Sequence, residues 1–301
     1  MTKSNNDATA WSEFWANNSQ GKGGGCLPQR WAEIETAQKA AWHGIIADLP
    51  QGANVLDLAT GDGRILRWMR EKRSDLTLMG VDLAPQVPPA PDGTETRGGV
   101  AMEDLPFDTD SFDAVVSQFG FEYGDVAASA VEIANVLKPG GTVGLMVHRG
   151  DGPILEHNLK RRAAIDWALS EKQVIAVLKN ALTAPEGGIK VAAQVMAALA
   201  MLGARAHGQE SPAWEIPEAL RRAVLLGAKA GAEDILESAQ SIEAQATNEI
   251  GRIASLERAC GIADARDALH AAMQKAGLSL KSTETVNQPG GRAIADFLIF
   301  N

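Results

Sequence analysis

Tyrosine occurs once and cysteine twice in the 301 residues. Cys26 and Cys260 are too few and too far apart for a disulfide framework or a paired metal-ligand motif, so a reducing, cytoplasmic setting without a structural metal is expected. Basic charge is short as well. With 28 Lys and Arg against 38 Asp and Glu, the formal net charge is −10, which argues against a basic nucleic-acid-binding domain, because phosphate binding rests on cations that release counterions. There is no run of about 18 apolar residues to span a bilayer, and the stretch MTKSNNDATAWSEFW has no apolar signal core, so no membrane partner is expected. What is present is an apolar fraction of 45%, enough for a real core in a chain of this length.

The chain divides by composition. Residues 1–50 form an amino-terminal arm in which Trp11, Phe14, Trp15, Trp31 and Trp42 surround the glycine run Gly23–Gly25. Such an arm reads either as a lid or as aromatic packing of a first helix onto a sheet. Residues 51–150 alternate short apolar runs with helical periodicity, the pattern of parallel βαβ units buried on both faces. Strands are predicted at 54–59, 77–82, near 95–98, at 112–118 and at 142–148, with helices over 63–73 and 125–137. Residues 151–276 are Ala-, Leu- and Glu-rich and helical in pattern, with helices near 153–181, 189–204, 217–229, 232–259 and 264–276. Their expected separators are the 185–188 turn, the segment containing Pro212 and Pro217, and Gly261. Residues 277–301 read as a terminal β-hairpin around NQPGG.

The chemistry concentrates at Val55-Leu56-Asp57-Leu58-Ala59-Thr60-Gly61-Asp62-Gly63-Arg64, a strand that runs into a small-residue turn and then a helix. Small residues at 59, 61 and 63 let a backbone approach a ligand. A glycine turn alone is weak evidence, but Asp57 lies at this strand's end and Asp82 ends the next strand, about 20 residues beyond Gly61, where a carboxylate can accept ribose hydroxyls.

Here the chain resembles the class I S-adenosylmethionine-dependent methyltransferases, in the branch similar to the ubiquinone/menaquinone enzymes. Asp57, Ala59, Thr60, Gly61, Asp62 and Gly63 match the cofactor turn, Asp82 the ribose acid, and Leu83 the apolar neighbour of adenine. Met102-Glu103-Asp104-Leu105-Pro106-Phe107 resembles the adenine-side loop, Ser117-Gln118-Phe119-Gly120-Phe121 the strand-four end, and Leu137-Lys138-Pro139-Gly140-Gly141-Thr142 the turn before strand five. Many relatives carry Gly at position 59 and Asp at position 101, where this chain has Ala59 and Ala101. The resemblance implies an α/β, Rossmann-like sheet, mostly parallel with its last strand antiparallel, and a large α-helical cap inserted between strand five and the hairpin. It also implies S-adenosylmethionine as cofactor, S-adenosylhomocysteine as product, and no metal. A nicotinamide dinucleotide would also want an acid after the second strand, but a pyrophosphate is poorly served by Asp57 and Asp62 beside the turn.

For the acceptor side, Glu122, Tyr123 and His148 fall near the carboxyl ends of strands four and five, where open parallel sheets bind ligands. They are the candidate catalytic residues, His148 first, although a strand-end histidine bonded to local backbone is the plainer alternative. Trp15, Phe121, Arg149 and His157 are candidate acceptor contacts, and Arg30 a candidate partner of the methionine carboxylate. The expected activity is methyl transfer to oxygen or nitrogen of a small molecule under the cap. A peptide acceptor, or a cofactor-binding regulatory protein without transfer, remain as alternatives, and the helical region offers a homodimer surface.

Overall fold

The computed structural model describes residues 11, 32–185, 187–229 and 231–301. Arg30, Trp15 and most of the amino-terminal arm therefore lie outside the described residues. Contacts divide the chain into two units, residues 1–156 with 255–301, and residues 157–254.

The first unit is a seven-stranded sheet in the order β3-β2-β1-β4-β5-β7-β6. Its strands are β1 (Asn54–Leu58), β2 (Thr77–Asp82), β3 (Glu95–Gly98), β4 (Phe112–Gln118), β5 (Leu137–Val147), β6 (Leu280–Asn287) and β7 (Ala293–Phe300). The pairs β1–β2, β1–β4, β2–β3 and β4–β5 are parallel, while β7 runs antiparallel to both β5 and β6. β1 is flanked by β2 on one side and β4 on the other, so the chain's winding reverses there and opens a crevice at the carboxyl ends of these two strands.

Both faces of the sheet are covered. On one side, α1 (Ala32–Asp48) and α2 (Arg64–Lys72) bury Ile34, Trp42, Ile46, Leu66 and Met69 against Val55, Val116, Met146 and Phe297. On the other, α3 (Val126–Val136) and α9 (Arg266–Lys275) bury Ala130, Ile133, Leu269 and Met273 against Leu56, Val115, Leu145 and Leu298. Each such large apolar side chain contributes about 1.5–3 kcal/mol on removal from water. Asp125 caps α3 by accepting from the backbone N–H groups of Ala127 and Ala128, and the helix stops at Val136, where the chain turns directly into β5. β5 thus begins at Leu137, five residues before the expected strand, and the Lys138-Pro139-Gly140-Gly141 turn lies inside it, beside an irregularity in its pairing with β4.

The second unit is helical, with α5 (Val174–Leu182), α6 (Gly188–His207), α7 (Pro212–Gly227) and parts of α4 (Pro153–Asp166) and α8 (Ala232–Asp264). Its core gathers Ile165, Leu178, Met196, Leu220, Val224 and Ile235. Three expectations are corrected here. The helical unit is 157–254, not 151–276, because α9 and the end of α8 pack into the sheet unit. Residues 153–181 are not one helix: a π-turn at Trp167–Glu171 and Gln173, at φ 48°, separate α4 from α5. Pro217 and Gly261 sit inside helices, because Ser211 precedes Pro212 as the cap and α8 continues to Asp264. Among the described residues α6 is long and apolar enough to cross a bilayer by length and composition alone, its most apolar stretch having a mean hydropathy of 1.4. It buries Ala192, Met196, Ala200 and Gly203 within the helical unit and leaves Met201 and Leu202 exposed.

Candidate functional site

The turn after β1 is built from left-handed backbone: Ala59 at φ 53°, Gly61 at 53° and Gly63 at 66°. A side chain at Gly63 would also meet Pro91, whose ring carbon lies 2.7 Å from the position a Cβ would take. Ala59 bears a left-handed conformation that disfavours any L side chain by about 1–2 kcal/mol, which explains why glycine suits this place. The turn is pinned to β2 twice. The Thr60 N–H donates to the Val81 carbonyl at 2.9 Å, and the Gly61 N–H donates to Asp82 Oδ2 at 2.9 Å. The other oxygen of Asp82 accepts from the Ala84 N–H at 2.9 Å. Each carboxylate oxygen has room for a second hydrogen bond, so Asp82 can latch the turn and still receive hydroxyl donors.

Asp57 is buried, and its only side-chain hydrogen bond among those described is from the Thr60 hydroxyl to Oδ2 at 2.7 Å. Burial pushes its carboxyl from the ordinary 3.8 up to about 8, with Asp82 and Asp62 adding to the rise and the Thr60 bond opposing it. Burial also raises Asp82, against its two backbone donors. Asp62 pairs with Arg64 at 3.3 Å, but among the described residues no cation pairs with Asp57 or Asp82. The site is therefore short of positive charge.

A raised acid keeps its proton in the folded chain after the unfolded chain has lost it. Stability should therefore fall as pH rises from 3.8 toward about 8 and flatten above. Asp57→Asn is expected to raise the urea midpoint relative to wild type at pH values above this window, the difference closing toward its acid end. Midpoints that run parallel at every pH would contradict the assignment.

The strand-four end forms a second group. Ser117 is buried and structural: its hydroxyl donates to the Leu58 carbonyl at 2.9 Å and accepts from the Phe121 N–H at 3.1 Å. Gln118 Oε1 accepts from Trp42 Nε1 at 2.7 Å, and its amide donates to Gln38 at 3.2 Å, so Gln118 fastens α1 to the end of β4. Phe119, at φ 57°, donates its N–H to the Met146 carbonyl at 2.7 Å. Gly120 sits where a Cβ would lie 2.4 Å from the Ala59 methyl and 2.9 Å from Ser117 Oγ. Gly120→Ala is expected to destabilise by about 1–3 kcal/mol, with Ala59→Gly relieving part of that loss in the double variant. Additive urea midpoints across the four-member cycle would show that the two positions are uncoupled.

Glu122, Tyr123 and His148 are brought together. The 3-10 turn Phe121–Tyr123 buries Glu122 completely, and its Oε1 accepts both the His148 N–H at 2.9 Å and His148 Nδ1 at 2.7 Å. Oε2 of Glu122 is buried without a hydrogen-bond partner. An ionised Glu122 can only accept, which places a proton on Nδ1 of the ring. The ring lies 4.2 Å from Phe119 and 5.8 Å edge-on from Tyr123, whose own ring meets Trp11 at 5.8 Å.

Other expected contacts are engaged elsewhere. Phe121 is fully buried in the core, out of an acceptor's reach. Arg149 pairs with Asp151 and, through both oxygens, with buried Asp296 at 2.9 Å, while Arg266 joins the same carboxylate, so its guanidinium is held in a structural ion cluster. Those hydrogen bonds and charges raise the Arg149 pKa. Glu103 Oε1 accepts from the Asp125 N–H at 2.8 Å at the start of α3. Thr60 is buried with its hydroxyl on Asp57. Met102 packs beside Gly124 and the sheet core, and Leu83 stands 42% exposed next to Asp82. His157 falls in the helical unit. No group of three His, Cys, Asp or Glu suited to a metal occurs among the described residues. Trp11 was visible only as one tryptophan of the arm, and the sequence gives no sign that it reaches Tyr123.

Residues 56–145 match a family model described as a methyltransferase domain. The sheet unit has the class I methyltransferase fold. The chain is 31% identical over 108 residues to an uncharacterised Mycobacterium tuberculosis protein, covering 33% of this chain and 39% of that one. It is 35% identical over 96 residues to a demethylmenaquinone methyltransferase of Thermus thermophilus, covering 29% and 43%. Among solved structures it is similar to an S-adenosylmethionine-dependent methyltransferase of Mesorhizobium loti, 27% identical with a TM-score of 0.32 over 38% of this chain and 56% of that one. The chain thus spans about two fifths of the length of these curated relatives, 39% and 43%.

Proposed function

We propose that the sheet unit binds S-adenosylmethionine at the turn after β1 and transfers its methyl group to oxygen or nitrogen of a small molecule. The observation that carries this is the pair Asp57 and Asp82, two buried carboxylates at the ends of neighbouring strands with no cationic partner among the described residues. Two buried acids whose ionisation burial opposes favour a cationic ligand, which would restore their charge, and oppose a pyrophosphate. Asp82 would receive the ribose hydroxyls, Leu83 the adenine face, and Asp57 with Gly61 and Gly63 the amino-acid end. When bound, the cofactor supplies a methyl carbon on a positively charged sulfur that departs as a neutral thioether.

The chain's own residues have two tasks, alignment and proton removal. His148 Nε2 takes the acceptor's proton, and Glu122 holds the ring in the required tautomer through Nδ1. Methyl donation needs no metal from the protein. Similarity to a demethylmenaquinone methyltransferase supports a small acceptor over a peptide. A calorimetric titration tests the cofactor half: S-adenosylhomocysteine should saturate one site per chain while NAD gives no heat. Saturation by NAD, or by neither, would remove the proposal.

A further inference from the structure

The helical unit carries a groove of about 640 Å³ between α7 and α8. One wall is a single face of α7, on which Trp214, Glu218, Arg222 and Leu226 recur every four residues, so the groove runs along about 20 Å of helix. Ala219 and Ala223 lie between them and keep the middle of that wall low. The other wall is Asp234 and Ser238, both exposed and one turn apart on α8. Gly227 lets the two helices close at the far end, where a Cβ would lie 2.6 Å from Ile235 Cγ1. Leu226 at the rim is 84% exposed and Leu225 beside it 51%, although the opposite face of α7 buries Ile216, Leu220 and Val224 in the core of the unit. Two large apolar side chains standing in water beside an indole-lined groove mark an association surface.

The order of groups along this face identifies the occupant, because it is its own complement. Read forward, the face presents an aromatic ring, an acid, a base and an aliphatic chain, at 214, 218, 222 and 226. Read backward, it presents the partner of each. We propose that α7 is the seam of a homodimer, in which two copies pack antiparallel about a two-fold axis at position 220, Leu226 of each entering the groove of the other beside its Trp214, and Arg222 of each meeting Glu218 of the other. Both pairs are centred on the same position, so one axis satisfies all four contacts, as an isologous interface requires. The small residues Ala219 and Ala223 flank the axis and let the two helices approach. Within one chain, Glu218 already pairs with Arg221 at 2.7 Å and Arg222 at 2.9 Å, which hold its carboxyl down at about 2 and keep it ionised for a second arginine. Glu215 is met by Arg161 of its own chain at 3.2 Å and adds no unpaired acid to the seam. Glu218 and Asp234 in the groove disfavour an anionic ligand or a lipid surface in the same place. This pairing holds whether or not the sheet unit binds a cofactor.

The experiment is sedimentation equilibrium of the full-length protein between about 1 and 200 µM. A seam of one helix from each copy is at the small end of stable interfaces, so a dissociation constant on the order of 10 µM is expected. Leu226→Glu, at a side chain too exposed to disturb folding, should weaken the dimer at least about tenfold, and Val131→Glu, at an exposed position on α3 of the sheet unit, should leave it unchanged. Glu218→Arg and Arg222→Glu each set like charges against themselves across the axis, so each should be monomeric alone. An equal mixture of the two chains should dimerise with about wild-type affinity, a recovery that no folding defect can produce. Should Glu218→Arg fail to fold, Leu226→Glu and Arg222→Glu decide the matter. A wild-type chain that is monomeric at about 200 µM, a dimer untouched by Leu226→Glu, or a mixture of folded chains that stays monomeric would each overturn the proposal. So would a monomeric wild type that floats with phosphatidylcholine vesicles while Leu226→Glu does not, since that result gives the face to a lipid surface.

Discussion

His148→Ala is expected to lower the rate of methyl transfer by about 10²–10⁴-fold, the usual range for a proton-transfer group, while leaving cofactor affinity within about twofold. The separation follows from position. His148 follows β5 and lies against Phe119 and Tyr123, whereas Asp57 is next to last in β1 and Asp82 ends β2. Loss of an imidazole that touches neither carboxylate should change kcat and spare the cofactor. Glu122→Gln should fall between wild type and His148→Ala, because an amide oxygen still accepts from Nδ1 but cannot neutralise the imidazolium. The check is tritium transferred from methyl-labelled S-adenosylmethionine to a hydroxyl or amine acceptor, with cofactor affinity measured alongside. A His148→Ala enzyme at full rate would leave the dyad a structural pair.

Asp82→Ala is expected to weaken S-adenosylhomocysteine binding by about 2–3 kcal/mol, or about 30- to 150-fold, the loss of two charge-assisted hydrogen bonds. It should also lower stability by about 1–3 kcal/mol, because the Gly61 and Ala84 N–H groups lose their acceptor. Asp82→Asn separates the two effects. Its amide oxygen can still take one backbone donor, so stability should recover more than affinity. Calorimetry and urea unfolding on the same samples decide it, and equal affinity in wild type and Asp82→Ala would show that this carboxylate does not meet the ribose.

Much of the fold was legible because parallel strands buried on both faces leave unbroken apolar runs, as at Val55-Leu56 and Val115-Val116. The cofactor turn was legible for a different reason: left-handed backbone at 61 and 63 leaves few choices but glycine. What stayed hidden depends on partners distant in sequence. Glu122 and His148 lie 26 residues apart, and only the 3-10 turn at the end of β4 aims the carboxylate at the strand-five end. Gln118 was expected on the cofactor, yet Trp42 and Gln38 of α1 claim its amide from 76 and 80 residues away. Arg149 was expected as an acceptor contact, but Asp296, 147 residues on, holds its guanidinium. In α7 and α8, Pro217 and Gly261 misled because both helices continue through them, and Gln173 gives no warning that it will take a left-handed conformation.

The most direct measurement is a crystal structure of the protein grown with saturating S-adenosylhomocysteine. The ribose hydroxyls are expected within hydrogen-bond distance of Asp82, with the amino-acid end beside Asp57 and the glycine turn. A crevice left empty at that concentration, or a nucleotide bound with its sugar away from Asp82, would contradict the claim that these two acids grip one sulfonium nucleotide.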